Sequence, residues 1–345
     1  MKILYAIQTT GNGHFTRSKE IISTIEKRVN VNVDVVFSGP KNKLLNIDNK
    51  VINHYRGLTL YYKKKGQINW IQTFFKNNFF RAIIDIIQCD TKAYDLVIND
   101  FEPITAWSCY LKNKRCVALS NQYAMLSDKK LRKKTKHKWT ILFLKYFAPT
   151  KEGYGFHFVK HKKNIFQPII RREIIKTKIS KKDYFLVYLP NYSIEKLIHF
   201  FSYFKNYNWI IFSPHVENSS TLNNIRLEKI NEKKFIKTLV NSKGVISSSG
   251  FSTLSEVLYL NKPLLTIPIN SHFEQIYNSS IIERLGGTVL SELSLNNTDL
   301  LQNWLDNLVP IGIKNLSNSK EVADRILIDY IKSLYDFNKA FVKTV

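Results

Sequence analysis

The stretch that decides the predicted fold is GVISSSGFSTLSEVLYLNKPLLTIP, residues 244–268. A short apolar run precedes small residues at 247–252, and Leu254 and Leu258 then follow at helical spacing. Pro263 comes just after this helical pattern and begins a second apolar run. The order strand, turn, helix and strand predicts a βαβ unit, the building block of a parallel α/β sheet.

The turn after the first of these strands is a candidate phosphate site. In a βαβ unit it lies at the carboxyl edge of the sheet, where the next helix presents its N–H groups and positive dipole end. Gly250 permits close approach of the backbone, and Ser249, Ser252 and Thr253 add hydroxyl groups. A second helix is predicted to begin within SHFEQIYN, residues 271–278, so two polar helix starts are expected at one sheet edge.

The same helix starts also fit a purely structural role. Thr253 and Glu256 are three residues apart, as are Ser271 and Glu274, and this is the spacing of a capping box. In that arrangement the glutamate bonds to the backbone of its own helix. Spacing alone leaves both roles open for each carboxylate.

The first 17 residues predict a second strand, turn and helix. An apolar strand, MKILYAIQ, is followed by a glycine turn, TTGNGHFTR at 9–17, that enters a helix. The turn has neither the G-x-G-x-x-G spacing of a dinucleotide fingerprint nor the Lys-Ser/Thr pair of a P-loop. A histidine after a turn is often only a cap, yet histidine also suits proton transfer near neutral pH. His14 is therefore a candidate base.

Another predicted strand, within DLVINDFEP at 95–103, ends in two carboxylates. Asp100 and Glu102 lie where α/β enzymes place reactive groups. No Asp-x-Asp sequence, an acidic motif that binds metal ions in some transferases, occurs in the chain. We therefore expect no metal requirement.

Together these motifs resemble the GT-B glycosyltransferases, especially the group containing the peptidoglycan N-acetylglucosaminyltransferase that forms lipid II. The resemblance covers roughly residues 184–290: a small-residue turn with glycine, a helix-borne glutamate, a proline-ended strand and an acidic-Gln pair. It implies an α/β fold of two Rossmann-like domains that face a central cleft, with a C-terminal helix crossing back to the N-terminal domain. The expected divisions are an acceptor-binding domain at 1–165, a donor-binding domain at 166–325 and the crossover helix at 326–345.

The resemblance also implies roles for individual residues. Glu256 would bind the ribose hydroxyls, the turn would cradle the diphosphate, and Glu274 with Gln275 would contact the donor sugar. The implied donor-binding residues are Ser249, Gly250, Phe251, Ser252, Thr253, Glu256, His272, Glu274 and Gln275. The implied acceptor-side residues are Gly11, Asn12, Gly13 and Glu102, and the implied base is His14, with Asp100 as second choice.

These expectations combine into an inverting, metal-independent glycosyltransferase without a cofactor. It would move a sugar from a nucleotide diphosphate donor, with UDP expected, to a hydroxyl of a glycan or lipid-linked acceptor. One stretch departs from the lipid-II enzyme, because LPNYS at 189–193 replaces its glycine-rich turn, and this argues against the lipid-II reaction itself. Two alternatives stay open: a nucleotide-sugar 2-epimerase of the same fold, and a non-catalytic basic protein that binds RNA or membranes.

Charge is uneven along the chain, whose net charge is +25. Residues 1–165 contain 30 basic and 11 acidic side chains, a balance that favours an anionic partner unless it reflects a Lys-rich proteome. The basic run Lys129–Lys138 leads directly into the apolar segment Trp139–Phe147. This succession favours contact with an anionic membrane surface over nucleic acid. Around Trp70–Ile87, aromatic and basic residues also suit a membrane interface, although an ordinary amphipathic helix explains them equally well.

The cellular location is predicted from the absence of paired cysteines, of a signal peptide and of a membrane-spanning run. Three cysteines without paired spacing suggest free thiols in a reducing compartment rather than a disulfide framework. No signal peptide is recognised, and no apolar run reaches the ~18 to 20 residues that span a bilayer. We expect a cytoplasmic protein, peripheral on the inner face of the cell membrane.

Overall fold

The computed structural model describes residues 1–9, 12–40, 51–58, 72–73, 76–128, 138–160, 162–180, 182–270, 272–313 and 316–344. These residues form two compact units. The first unit holds the described residues up to position 169 and those from position 316 onward, and the second holds those between 170 and 313.

The first unit is built on seven parallel strands. They are β1 (Lys2–Gln8), β2 (Asn32–Ser38), β3 (Val51–Tyr55), β4 (Leu96–Asp100), β5 (Cys116–Ser120), β6 (Glu152–Phe156) and β7 (Ile165–Phe166). The helices that the structure describes in this part of the chain are α1 (Asn12–Ile25), α2 (Phe79–Gln88), α3 (Pro103–Leu111), α4 (Asn121–Ser127) and α5 (Lys138–Phe147). The strand order is β3-β2-β1-β4-β5-β6-β7. Because helices cover such a sheet on both faces, β1 and β4 are near-continuous apolar runs and almost fully buried.

The second unit is a second, mostly parallel sheet. Its strands are β8 (Phe185–Tyr188), β9 (Trp209–Ser213), β10 (Ser220–Leu222), β11 (Ile225–Lys229), β12 (Gly244–Ser247), β13 (Lys262–Thr266), β14 (Thr288–Val289) and β15 (Pro310–Ile311). Its helices are α6 (Arg172–Lys176), α7 (Ile194–Phe201), α8 (Glu232–Asn241), α9 (Phe251–Tyr259), α10 (Phe273–Arg284) and α11 (Thr298–Asp306). The order is β10-β11-β9-β8-β12-β13-β14, with β15 antiparallel to β13. A core of large side chains, including Phe185, Phe201 and Trp209, fills one side of this sheet.

The predicted βαβ unit is confirmed. β12 and β13 are parallel neighbours, with Val245 opposite Leu264, and α9 connects them. The strand order reverses direction between β8 and β12. Ligands of open α/β sheets bind at such switch points, so the 247–252 turn lies where the fold favours a ligand.

The last helix, α12 (Ser319–Thr344), belongs to the first unit although it follows the second in sequence. It packs against α1, where Thr24 donates to Ser319 Oγ at 2.8 Å and Arg28 pairs with Asp324. The predicted return of the chain to the N-terminal domain is thereby confirmed. Among the described helices, none is long and apolar enough to cross a bilayer.

Candidate functional site

A histidine–aspartate pair lies at the carboxyl edge of the first sheet. β1 and β4 are neighbours with Ile7 opposite Asp100, so the start of α1 and the end of β4 meet at this edge. His14 Nδ1 lies 2.7 Å from Asp100 Oδ1. If Nδ1 carries the ring hydrogen and donates it to the carboxylate, Nε2 keeps its lone pair and can accept a proton.

Helical spacing brings two further side chains to the same carboxylate. His14, Arg17 and Ser18 lie at i, i+3 and i+4 of α1 and therefore share one face. Arg17 Nη2 donates to Asp100 Oδ1 at 2.8 Å and to Oδ2 at 2.7 Å, and Ser18 Oγ donates to Oδ2 at 3.1 Å. Sequence reasoning singled out His14 and Asp100 but missed Arg17, although its one-turn spacing from His14 was the signal.

The Asp100 carboxylate is fully buried and stays ionised. Burial alone would raise the pKa of Asp100, but the charges of Arg17 and His14 and their hydrogen bonds lower it overall. His14 is the more exposed partner, with 13% of its side chain accessible. Of the two candidate bases, only His14 therefore has a surface that a substrate could reach.

The predicted acceptor-side residues do not share one role. Asn12 and Gly13 belong to the first turn of α1, which begins earlier than the glycine turn had suggested, and Gly11 lies outside the described residues. Glu102 is the N-cap of α3 and is completely buried. Its Oε1 accepts from Ile104 N at 2.6 Å, and its Oε2 accepts from Thr105 N at 2.7 Å. Both oxygens of Glu102 are thus used to begin a helix.

In the second unit, the turn after β12 leads directly into α9. Gly250 is the N-cap of α9 and, as a glycine, makes no side-chain cap hydrogen bond to this helix. Ser252 and Thr253 are partly exposed at its first turn, whereas Phe251 is buried. A helix start at a sheet edge, with a glycine N-cap and flanking hydroxyl groups, suits a phosphate.

Ser249 has a different environment from the rest of the turn. Its side chain is buried and its Oγ lies 2.7 Å from Thr266 Oγ1 on β13. Asn278 Nδ2 on α10 donates to Ser249 O at 3.0 Å. These bonds tie the turn to the neighbouring strand and to α10, so the Ser249 hydroxyl helps to shape the turn.

Glu256 lies in the second turn of α9, and the capping-box interpretation of this residue is wrong. With Gly250 as N-cap, Thr253 occupies N3, and Glu256 lies too far along the helix to reach back to the cap. Glu256 Oε1 instead accepts from Arg171 Nε at 2.6 Å, and Arg171 Nη1 also pairs with Glu232 at 2.8 Å. Glu256 Oε2 is buried without a hydrogen-bond partner among the described residues.

Burial raises the pKa of Glu256, and the Arg171 charge only partly opposes this effect. A buried carboxylate oxygen without a partner is costly and therefore points to a group that completes the site. Sequence reasoning missed Arg171, because it lies 85 positions before Glu256 and no local pattern connects the two.

The second helix start, α10, begins at Phe273 with His272 as its N-cap. Glu274 therefore occupies N2 rather than N3, and Ser271, the other half of the proposed capping box, lies outside the described residues. Gln275 Oε1 accepts from Ile269 N at 3.0 Å. Burial lowers the pKa of His272, which favours its neutral form.

Away from the His14–Asp100 pair, the described residues form a cavity but no cluster suited to a metal ion. Among the described residues, no group of three or more His, Cys, Asp or Glu side chains is arranged to hold a metal ion. A cavity of about 250 Å³ in the first unit is lined by Cys109, Tyr110, Cys116 and Glu152, among others. Cys116 and Glu152 begin β5 and β6, so this cavity lies at the opposite sheet edge from His14.

Comparison with known proteins connects both units to one family. The family model described as Glycosyl transferase family 1 matches residues 1–309. No curated protein matches the chain in sequence.

Several solved structures share the fold. The glycosyltransferase SnogD from Streptomyces nogalater is 12% identical, with 95% of this chain and 99% of that chain covered and a TM-score of 0.55. Phytolacca americana UGT2, complexed with UDP-2fluoro-glucose and pterostilbene, is 10% identical, with coverages of 96% and 94% and a TM-score of 0.57. The UDP-GlcNAc 2-epimerase from Neisseria meningitidis, bound to UDP-GlcNAc, is 12% identical, with coverages of 96% and 100% and a TM-score of 0.53.

Proposed function

The chain belongs to glycosyl transferase family 1, and from this premise we propose an inverting, metal-independent reaction. The enzyme would move a sugar from a UDP-linked donor to a hydroxyl of a glycan or lipid-linked acceptor. The observation that carries the proposal is the 2.7 Å contact between His14 and a fully buried, ionised Asp100 at a sheet edge. This arrangement orients an imidazole for proton transfer.

In the proposed step, His14 Nε2 takes the proton of the acceptor hydroxyl as its oxygen attacks the anomeric carbon of the sugar. The bond between that carbon and the diphosphate oxygen breaks, and the configuration at the carbon inverts. Asp100 orients the ring and stabilises the imidazolium that forms, and it does not itself receive the proton. UDP leaves with the electron pair of the broken bond. The first turn of α9 stabilises the negative charge on its diphosphate without a metal ion.

Donor binding is assigned to the second unit. Gly250 and α9 would hold the diphosphate, with Ser252 and Thr253 adding hydroxyl donors. Glu256 Oε2, the buried oxygen without a described partner, would accept from the ribose hydroxyls. The start of α10, with His272, Glu274 and Gln275, would contact the sugar.

The test of this proposal compares turnover with nucleotide binding. His14→Ala is expected to lower turnover by at least 100-fold, since general base catalysis contributes about 10² to 10⁴. UDP affinity, measured by calorimetry, should stay within twofold of the wild-type value, because the donor site lies in the second unit. A screen of thermal stability against nucleotides and nucleotide sugars identifies the donor first. Unchanged turnover in His14→Ala would remove this residue from the mechanism.

The epimerase is the second candidate function, since the Neisseria meningitidis enzyme shares the fold over 96% of this chain. The two reactions differ in their need for an acceptor. Incubation with the donor alone separates them: an epimerase converts the sugar nucleotide to its 2-epimer, whereas the proposed transferase leaves its configuration unchanged until an acceptor is added.

A membrane-facing surface is also proposed, on helices α2, α3 and α5. α2 buries Asp85, which pairs with Arg81 at 2.9 Å, and exposes Phe80, Ile83 and Ile87 by 76%, 55% and 61%. A helix that buries its carboxylate and exposes its largest apolar side chains is unusual for a protein surface in water.

The neighbouring helices continue this surface. Lys112, at the end of α3, donates to Ile87 O at 2.9 Å, and Trp107 Nε1 of α3 donates to Tyr146 O of α5 at 3.1 Å. Leu111 and Tyr146 are exposed. Asp85 is the single carboxylate in the sequences of the three helices, so the surface combines apolar and basic groups and suits anionic lipid. Of the predicted basic run Lys129–Lys138, residues 129–137 lie outside the described residues, and Lys138 begins α5.

This surface predicts binding to vesicles that contain anionic lipid, on the cytoplasmic face of the cell membrane. Ile83→Glu is expected to weaken sedimentation with phosphatidylserine vesicles by about tenfold, because it removes apolar contact and adds a negative charge. Val29→Glu, an exposed aliphatic position outside the three helices, is the matched control. Equal loss of vesicle binding in both variants, or no vesicle binding by the wild type, would contradict the proposal that this surface faces the membrane.

A further inference from the structure

A buried arginine beside the His14–Asp100 pair has no part in the reaction proposed above. Arg17 is 5% exposed, and its guanidinium carbon lies 4.7 Å from the centre of the Phe156 ring. Its Nη2 reaches both oxygens of Asp100 and lies 3.3 Å from His14 Nδ1. Stacking and hydrogen bonding thus hold a permanent cation next to the candidate base.

Two other groups near Asp100, among the residues that the structure describes, are neutral. Ser18, on α1, contributes a hydroxyl. Burial, and then the charge of Asp100, raise the pKa of Tyr5 on β1 well above its usual range, so its hydroxyl keeps its proton. Among the described groups that face Asp100, the balance of charge is therefore set by Arg17 and by the protonation of His14.

We propose that Arg17 is a positioning residue: it balances the charge of Asp100, so that this carboxylate orients His14 without stabilising the imidazolium as strongly as a carboxylate with no other cation beside it would. A buried carboxylate with histidine as its sole charged partner would stabilise the imidazolium strongly and so remove the base as the pH falls. A guanidinium 3.3 Å from the ring opposes that protonation while it keeps the carboxylate ionised and correctly placed. This role rests on the proposed function in one respect, the assignment of His14 as the base.

The experiment follows the titration of His14 directly and needs no substrate. The full chain is labelled with ¹³C-histidine, and His14→Asn identifies the His14 signal among those of the eight histidines. Arg17→Met is expected to raise the titration midpoint of the His14–Asp100 pair by about one pH unit or more, and Asp100→Asn to lower it. Arg17→Lys, which keeps the charge, should restore most of the difference. Arg28→Met, which removes an arginine paired with Asp324, is the matched control and should leave the midpoint unchanged.

A double variant keeps the test decisive if Arg17→Met does not fold. Arg17→Met combined with Asp100→Asn removes both charges of the buried pair. The titration midpoint of His14 in this double variant should lie above that in Asp100→Asn alone, because the double variant also lacks the arginine charge. Equal midpoints in those two variants, or in Arg17→Met and wild type, would overturn the role of Arg17. Retained turnover in His14→Ala would instead refute the proposed function, whatever the titration shows.

Discussion

Gly250→Ala is the sharpest test of the donor turn, because it separates folding from nucleotide binding. Gly250 has φ −72° and ψ 130°, a conformation open to any L-residue. A Cβ built at this position meets no described atom within 4 Å. In the ligand-free protein the added methyl group therefore has room, but it occupies space at the start of α9 where the diphosphate is proposed to bind.

The expected effect on stability is small because two contributions oppose each other. Replacing glycine by alanine at a compatible conformation stabilises a protein by about 0.4 to 1 kcal/mol, through the unfolded chain. Alanine is a poorer N-cap than glycine, at a cost of roughly 0.5 to 1 kcal/mol. The free energy of unfolding should therefore change by less than about 1 kcal/mol, whereas UDP affinity should fall at least tenfold, about 1.4 kcal/mol.

The assay pairs urea unfolding with calorimetric titration of UDP. Gly155→Ala provides the contrast, because its Cβ would lie 2.6 Å from Ala124 N. That variant should lose roughly 1 to 3 kcal/mol of stability, as overpacked positions do. If Gly250→Ala folds normally and binds UDP within twofold of the wild type, the turn does not hold the phosphates.

Two further predictions concern the buried carboxylates. Glu256→Gln keeps the shape of the side chain but removes its charge, so UDP affinity should fall by about 1.5 to 3 kcal/mol in calorimetry; equal affinity would leave Glu256 only its pairing with Arg171. Asp100 has a pKa below its ordinary value, so its ionised form stabilises the fold above about pH 5, and this contribution is lost as the pH falls through the folded-state pKa. Asp100→Asn should therefore be less stable than the wild type at pH 7, with a smaller difference at pH 3; urea unfolding curves separated by a constant amount at both pH values would contradict this.

Strong local patterns made much of the fold predictable. The turn at 247–252 between two apolar runs predicted β12, α9 and β13, and the structure places them at Gly244–Ser247, Phe251–Tyr259 and Lys262–Thr266. The final helix, expected at 326–345, begins at Ser319. Strands of two or three residues, such as β14 and β10, are too short to show a periodic pattern in the sequence. Their position depends on pairing with the neighbouring strand.

Local sequence determined which residues could do chemistry, and the tertiary structure decided which of them are paired. His14 and Asp100 follow separate strands 86 positions apart, and they meet because β1 and β4 are neighbours. Glu102 has the same local setting as Asp100, yet its backbone places it as a helix cap. Arg17 and Arg171 pair with buried carboxylates. A carboxylate removed from water needs a nearby cation or hydrogen-bond donors to stay ionised. Such pairing depends on distances through space, which the order of residues along the chain does not contain.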